Sequence, residues 1–204
     1  MQLAEWSVDA VGGLIMTDLQ GQGGGASVTL EVLKARLPEH ARDLRINLGV
    51  VTGASNLTAR QHWGAALAAA LTARNPDVVK AVAAAAAAHL DEGARRAVEG
   101  AASVMAMNNV YYRALHFLGD GREYPALPAR LRMQVIGNHG VDHVDFELWC
   151  LAASAVTGCG ACVVAHERVL RGKGVTAPMV QDAVRIAAIV HALAVTLEGV
   201  DALA

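Results

Sequence analysis

The chain has 204 residues, with 17 Lys and Arg against 19 Asp and Glu, a length suited to one domain or two closely related halves. Near-balanced charge leaves no electrostatic footprint for nucleic acid or an anionic membrane. Hydrophobic residues make up 54% but aromatic residues only 4%, and much of the remainder is alanine, the strongest helix former and a small one, so an all-α protein is expected.

Residues 1–28 differ from the rest. Gly21, Gln22, Gly23, Gly24 and Gly25 form a flexible tract, so the segment reads as an appended N-terminal extension ahead of a helical domain over 29–204. Leu30, Leu33, Leu37, Leu44 and Leu48 then recur at helical spacing, broken by Pro38. Thr58 and Gln61 fit a capping box for a helix through Trp63 and Leu67 to about Ala73, where Asn75-Pro76 ends it. The next helix runs from Pro76 to His89. Asp91 caps another through Val98, Ala102, Met105 and Met107 to about Phe117. Gly119 to Pro128 reads as a surface loop, followed by a short helix through Leu131 and Val135 and a turn over Gly137 to Gly140. Asp142 or Asp145 caps a helix through Phe146 and Trp149. Gly158 interrupts that pattern, and Thr176 with Pro178 opens the last helix.

A repeat runs through these elements. Trp63 and Trp149 are 86 positions apart (149 − 63), and the same offset pairs Gln61 with Glu147, Ala66 with Ala152, Ala97-Val98 with Ala183-Val184, and Ala101-Ala102 with Ala187-Ala188. Residues of about 58–110 and 144–196 are therefore expected to be duplicated helical units around a pseudo-two-fold axis. At this offset Cys159, Cys162 and His166 face Ala73, Pro76 and Lys80, so the first unit has the scaffold without the chemistry.

That chemistry is a Cys159-x-x-Cys162 pair with His166 one helical turn later. The longest alanine-rich run, Ala81 to Ala88, is far short of the roughly 20 residues of a spanning helix, and no export signal opens the chain. The protein reads as cytoplasmic, where a close cysteine pair is catalytic, redox-sensing or metal-binding more often than structural. Gly158 should leave Cys159 at a helix N-terminus, where the dipole and free N–H groups favour a thiolate and thiol pKa values fall to about 3.5–7.5. His166 can exchange a proton with Cys162, and Glu147 can orient the imidazole if the two helices pack side by side. Two other readings stand beside this one. The cysteines could be small apolar fillers. They could also bind zinc with His166 and Glu147, although no second ligand pair follows to complete a structural site. Cys150 reads as packing, Met105, Met107 and Met133 as gap-fillers, and the remaining histidines as scattered. Asn108-Asn109, two amides in an apolar helix, reads as a structural brace.

These features together resemble the alkyl hydroperoxidase D (AhpD) family within the carboxymuconolactone decarboxylase superfamily. The segments that carry the resemblance are Leu37-Pro38-Glu39, Trp63-Gly64, Arg74-Asn75-Pro76, Met107-Asn108-Asn109-Val110, Phe146-Glu147-Leu148-Trp149 and Cys159 to Arg171, with Glu147 twelve residues before Cys159. The match runs from about Val28 to the C-terminus. It implies an AhpD-like all-helical homotrimer that holds no cofactor or metal and acts as an antioxidant thiol–disulfide oxidoreductase with alkyl hydroperoxide reductase activity. Electrons would pass from a dihydrolipoyl acyltransferase, fed by NADH through lipoamide dehydrogenase, to the peroxiredoxin AhpC. The resemblance makes Cys162 the sulfenic-acid and mixed-disulfide residue, Cys159 its proton donor and disulfide partner, and Glu147 and His166 the proton relay. The family often has a histidine directly before the second cysteine; Ala161 stands there in this chain. A non-redox or zinc-stabilised binding or regulatory module on the same helices is the alternative. The decarboxylase branch generally does without the cysteine pair, which argues against it.

Overall fold

Helix start signals in the sequence fix most of the architecture. The computed structural model describes residues 28–119 and 123–204; the extension read over residues 1–28 lies outside these apart from Val28. Among the described residues all regular structure is helical: α1 Leu30–Arg36, α2 Arg42–Thr52, α3 Ala59–Ala73, α4 Pro76–Ala86, α5 Glu92–Leu118, α6 Gln134–Gly137, α7 His143–Thr157, α8 Gly160–Gly172 and α9 Ala177–Leu203, with two short 3-10 turns. The fold is all-α.

Caps account for the boundaries. Thr58 and Gln61 form the expected capping box at the start of α3, each side chain accepting from the other's backbone N–H. The Asp91 carboxylate accepts from Ala94 N–H to open α5, and Thr176 accepts from Met179 N–H to open α9. Of the two aspartates considered for α7, Asp142 is the cap, accepting from Val144 and Asp145 N–H. Asp145 is instead buried and receives Arg60 Nε at 3.2 Å. The short sixth helix begins at Gln134, so Leu131 precedes it and Gly137 belongs to it.

The core is built around α7. Every residue from Asp145 to Ser154 is buried, as befits a helix that is apolar on all sides. It packs against α3, α5, α8 and α9. Helix α3 presents an almost unbroken small surface, Ala65 to Ala70, all buried. That surface allows close approach, and Gly64 shows how close: a Cβ there would stand 2.1 Å from Nε1 of Trp149.

Helix α9 is long and apolar enough to cross a membrane by length and composition. In this fold its apolar stripe, Ile186, Ala187, Val190, Leu193, Ala194 and Leu197, lies in the core, while Gln181, Arg185, His191, Glu198 and Asp201 face solvent. Helices α3, α4 and α5 begin 84, 84 and 85 positions before α7, α8 and α9 (143 − 59, 160 − 76, 177 − 92), and α5 and α9 are both 27 residues long.

Candidate active site

Three elements bring the sequence-predicted residues together. Helix α7 ends at Gly158, whose φ of 69° is a left-handed conformation that glycine adopts without strain. The chain then turns directly into α8. Cys159 is itself the cap of α8, its Sγ accepting from Cys162 N–H at 3.3 Å. Cys159 and Cys162 are joined as a disulfide with a Cα–Cα separation of 5.3 Å. The two sulfurs are not equivalent: Cys159 is 0% exposed, whereas Cys162 is 6% exposed and lines a cavity of about 260 Å³.

Glu147 and His166 also meet. Nδ1 of His166 donates to Oε2 of Glu147 at 2.7 Å, joining α7 to α8. Since an ionised carboxylate only accepts, this bond places a hydrogen on Nδ1. Nε2 lies 3.2 Å from Sδ of Met105 on α5. Both ring nitrogens are therefore engaged, and no hydrogen bond joins His166 to Cys162 among the described residues. The two side chains share the cavity instead. Helix α5 contributes Met105, Asn108 and Tyr112 to its walls, α6 contributes Ile136, and α8 contributes Cys162 and His166.

Two neighbours escaped the sequence reading. Met105 is no mere gap-filler, because its sulfur also receives Ser154 Oγ at 3.5 Å and so stands between α7 and the imidazole. His143, read as one of the scattered histidines, places Nε2 3.8 Å from Oε1 of Glu147 with its side chain 44% exposed. The Glu147 carboxylate thus has a partly buried imidazole on one oxygen and a solvent-facing one near the other. The i, i+4 spacing of His143 and Glu147 on a helix was the available signal.

Asn109 and Arg113 hold the turn before the disulfide. Asn109 Nδ2 donates to Thr157 Oγ1 at 2.8 Å, Ser154 Oγ donates to Asn109 Oδ1 at 3.1 Å, and Arg113 Nη1 donates to the Thr157 carbonyl at 2.6 Å. The brace expected of the paired amides is therefore the work of Asn109, through bonds to two side chains of α7. Asn108 takes no part in it. Cys150 is a buried free thiol whose pKa is pushed well up by burial and then by the nearby Glu147 charge, which keeps it in the inert thiol form. Among the described residues no three His, Cys, Asp or Glu side chains gather as metal ligands would.

Comparison with known proteins decides the family. Residues 122–204 match the carboxymuconolactone decarboxylase family. Alkyl hydroperoxide reductase AhpD of Rhodospirillum centenum is 55% identical over 176 residues, covering 86% of this chain and 94% of the relative. The proteins of that name from Frankia alni and Streptomyces coelicolor are 53% and 51% identical, covering 85% and 84% of this chain and 94% and 96% of those relatives. The chain belongs to the AhpD family. The cavity, the disulfide and the Glu147–His166 pair form one contiguous site, and Ala161 lines the same cavity.

Proposed function

We propose that this protein is an antioxidant alkyl hydroperoxide reductase that cycles the Cys159–Cys162 disulfide. The observation that carries the reading is the asymmetry of the two sulfurs beside a bonded carboxylate–imidazole pair: Cys162 borders the cavity and Cys159 does not. The names of the AhpD relatives support the same reaction.

In the reduced protein the Cys162 thiolate attacks the terminal oxygen of a hydroperoxide. The S–O bond forms, the O–O bond breaks, and the departing alkoxide takes the Cys159 proton to leave as an alcohol. The Cys159 thiolate then displaces the sulfenic hydroxyl, which leaves as water with a proton from His166, and the disulfide closes. That proton is the one His166 took from the Cys162 thiol, and the Glu147 carboxylate balances the imidazolium while His166 holds it.

Reduction follows the same asymmetry. A dihydrolipoyl thiolate of a partner acyltransferase attacks the accessible Cys162, and Cys159 leaves as a thiolate held by the Cys162 N–H and the positive end of α8. The second dihydrolipoyl thiol closes the lipoyl disulfide and releases Cys162. In the same way Cys162 forms the mixed disulfide that passes electrons on to AhpC. No resident cofactor is required; the dihydrolipoyl group, recharged by NADH through lipoamide dehydrogenase, is the reductant.

A homotrimer in the cytoplasm fits this role. The compartment supplies the reductants the dithiol needs. The exposed Val110, Phe117 and Leu118 on the far half of α5 offer apolar surface for contact between copies. We also take 29–204 as one domain made of two duplicated units, α3 to α5 and α7 to α9, supported by their matching order and lengths.

The test is to treat reduced protein with a hydroperoxide, then with dihydrolipoamide, and count thiols after denaturing quench at each step. Thiols should fall from three to one per chain, Cys150 remaining, and return to three. Retention of all three, or stoichiometric zinc that survives dialysis, overturns the reading in favour of a metal-stabilised binding module.

A further inference from the structure

Asn108 and Asn109 are consecutive on α5 and both buried, yet only one is satisfied. Asn109 uses both ends of its amide, as described above. Asn108 is 4% exposed, its Oδ1 is buried without a partner, and its side chain makes no hydrogen bond among the described residues. A buried amide oxygen left unpaired is destabilising, whereas an apolar side chain of the same shape is nearly neutral or stabilising there. Asn108 therefore weakens the helix packing it belongs to. It also forms part of the cavity wall that holds Cys162 and His166. A polar group that the fold does not use, set beside the reactive sulfur, is placed for a ligand.

We propose that Asn108 is a substrate-positioning residue whose carboxamide binds the O–O–H head of a small alkyl hydroperoxide, the alkyl part lying against Met133, Ile136 and Tyr112. This rests on the hydroperoxide reductase reading above. The fit is one of complementary groups. A hydroperoxide has one O–H donor and two acceptor oxygens; a carboxamide has one acceptor oxygen and two N–H donors. With the amide N–H, the end of the carboxamide left open, donating to the alkoxy oxygen, the O–O bond is held against Cys162. The terminal oxygen bonds to sulfur, the O–O electron pair goes to the alkoxy oxygen, and the Cys159 thiol supplies its proton, so sulfur is oxidised as the peroxide is reduced to an alcohol. Negative charge grows on the oxygen that the amide N–H faces, so that bond strengthens in the transition state. A volume of about 260 Å³ with mostly apolar walls suits a short alkyl group.

The experiment separates the two half-reactions in full-length protein. Wild type, Asn108→Leu and Asn108→Asp are compared for thiol loss on adding ethyl hydroperoxide to the reduced form, for thiol recovery on adding dihydrolipoamide to the oxidised form, and for thermal midpoint. Asn108→Leu should melt at or above the wild-type temperature and yet lose thiols to the hydroperoxide ~10- to 100-fold more slowly, the worth of one or two hydrogen bonds. Its reduction by dihydrolipoamide should slow far less, so the ratio of the two rates shifts. Asn108→Asp keeps the shape and loses the N–H donors, and it should show the same shift. Equal slowing of both half-reactions, a selective loss of the dithiol step, or a lowered melting temperature with an unchanged ratio overturns the inference and makes Asn108 structural or a dithiol-binding group. A wild type that keeps its thiols in hydroperoxide overturns the underlying reading, and the inference with it.

Discussion

At the scale of single residues, the site depends on one side chain, Glu147, that serves neighbours on two elements. It is buried, it holds His166 at 2.7 Å, and its charge contributes to keeping Cys150 a thiol. Removing the charge while keeping the shape should uncouple the proposed relay. Glu147→Gln can present a carbonyl to His166 Nδ1 but cannot balance an imidazolium. Hydroperoxide-driven thiol loss near neutral pH should therefore drop by about 10²-fold or more, the usual share of a positioned acid–base group. Stopped thiol counts at several pH values check this, and a Glu147→Gln protein with the wild-type rate and pH profile removes Glu147 from the relay. His166 enters this account with both nitrogens occupied, so it reaches Cys162 chemistry through the shared cavity rather than by a direct bond.

At the scale of elements, the α3–α7 contact sets everything else. Gly64 lies against the indole of Trp149, which is wholly buried on a helix that cannot retreat, being covered on every side. Gly64→Ala should destabilise the protein by about 1–3 kcal/mol through overpacking, despite the better helix propensity of alanine. Chemical denaturation reads this directly, and an unchanged midpoint shows that α7 can shift. This contact was only partly legible beforehand. The Trp63 and Trp149 pattern marks both helices, but which glycine meets which ring is a tertiary fact. The caps were legible, because Thr58, Asp91 and Thr176 act within one turn of themselves. So was the meeting of Glu147 with the Cys159–His166 segment, since a helix reversal at Gly158 folds α8 back on α7. The roles of Met105 and Asn108 were not. Both belong to α5, far away in sequence, and whether a buried polar atom is satisfied depends on the partners the fold brings to it. Asn108 and Asn109 look alike as letters, and packing alone separates them.

At the scale of the whole molecule, Asp182 ties the segment before α3 to the start of α9. Its carboxylate accepts from Asn56 N–H at 2.9 Å, Asn56 Nδ2 at 2.8 Å and Ser55 Oγ at 3.2 Å, with Arg185 beside it. Burial by itself raises the pKa of this group, but the Asn56 and Ser55 hydrogen bonds and the Arg185 charge outweigh it and hold the carboxyl below its ordinary value. A carboxyl depressed in the folded state contributes stability that is in place above the unfolded pKa, about 3.9, and is lost as pH falls below it. The melting temperatures of wild type and Asp182→Asn should therefore differ most near neutrality and converge below about pH 4. A gap that stays constant with pH shows that the carboxylate charge contributes nothing.

The division of labour around the cavity has a practical consequence. The disulfide, Glu147 and His166 are carried by α7, α8 and the turn between them, while Met105, Asn108, Tyr112 and Ile136, from α5 and α6, form the facing wall of the cavity. Under the proposed function, reactivity and selectivity are thus written on different stretches of chain. A library confined to positions 108, 112, 133 and 136 would retune which peroxide is accepted while Cys159, Cys162, His166 and its Met105 neighbour stay as they are.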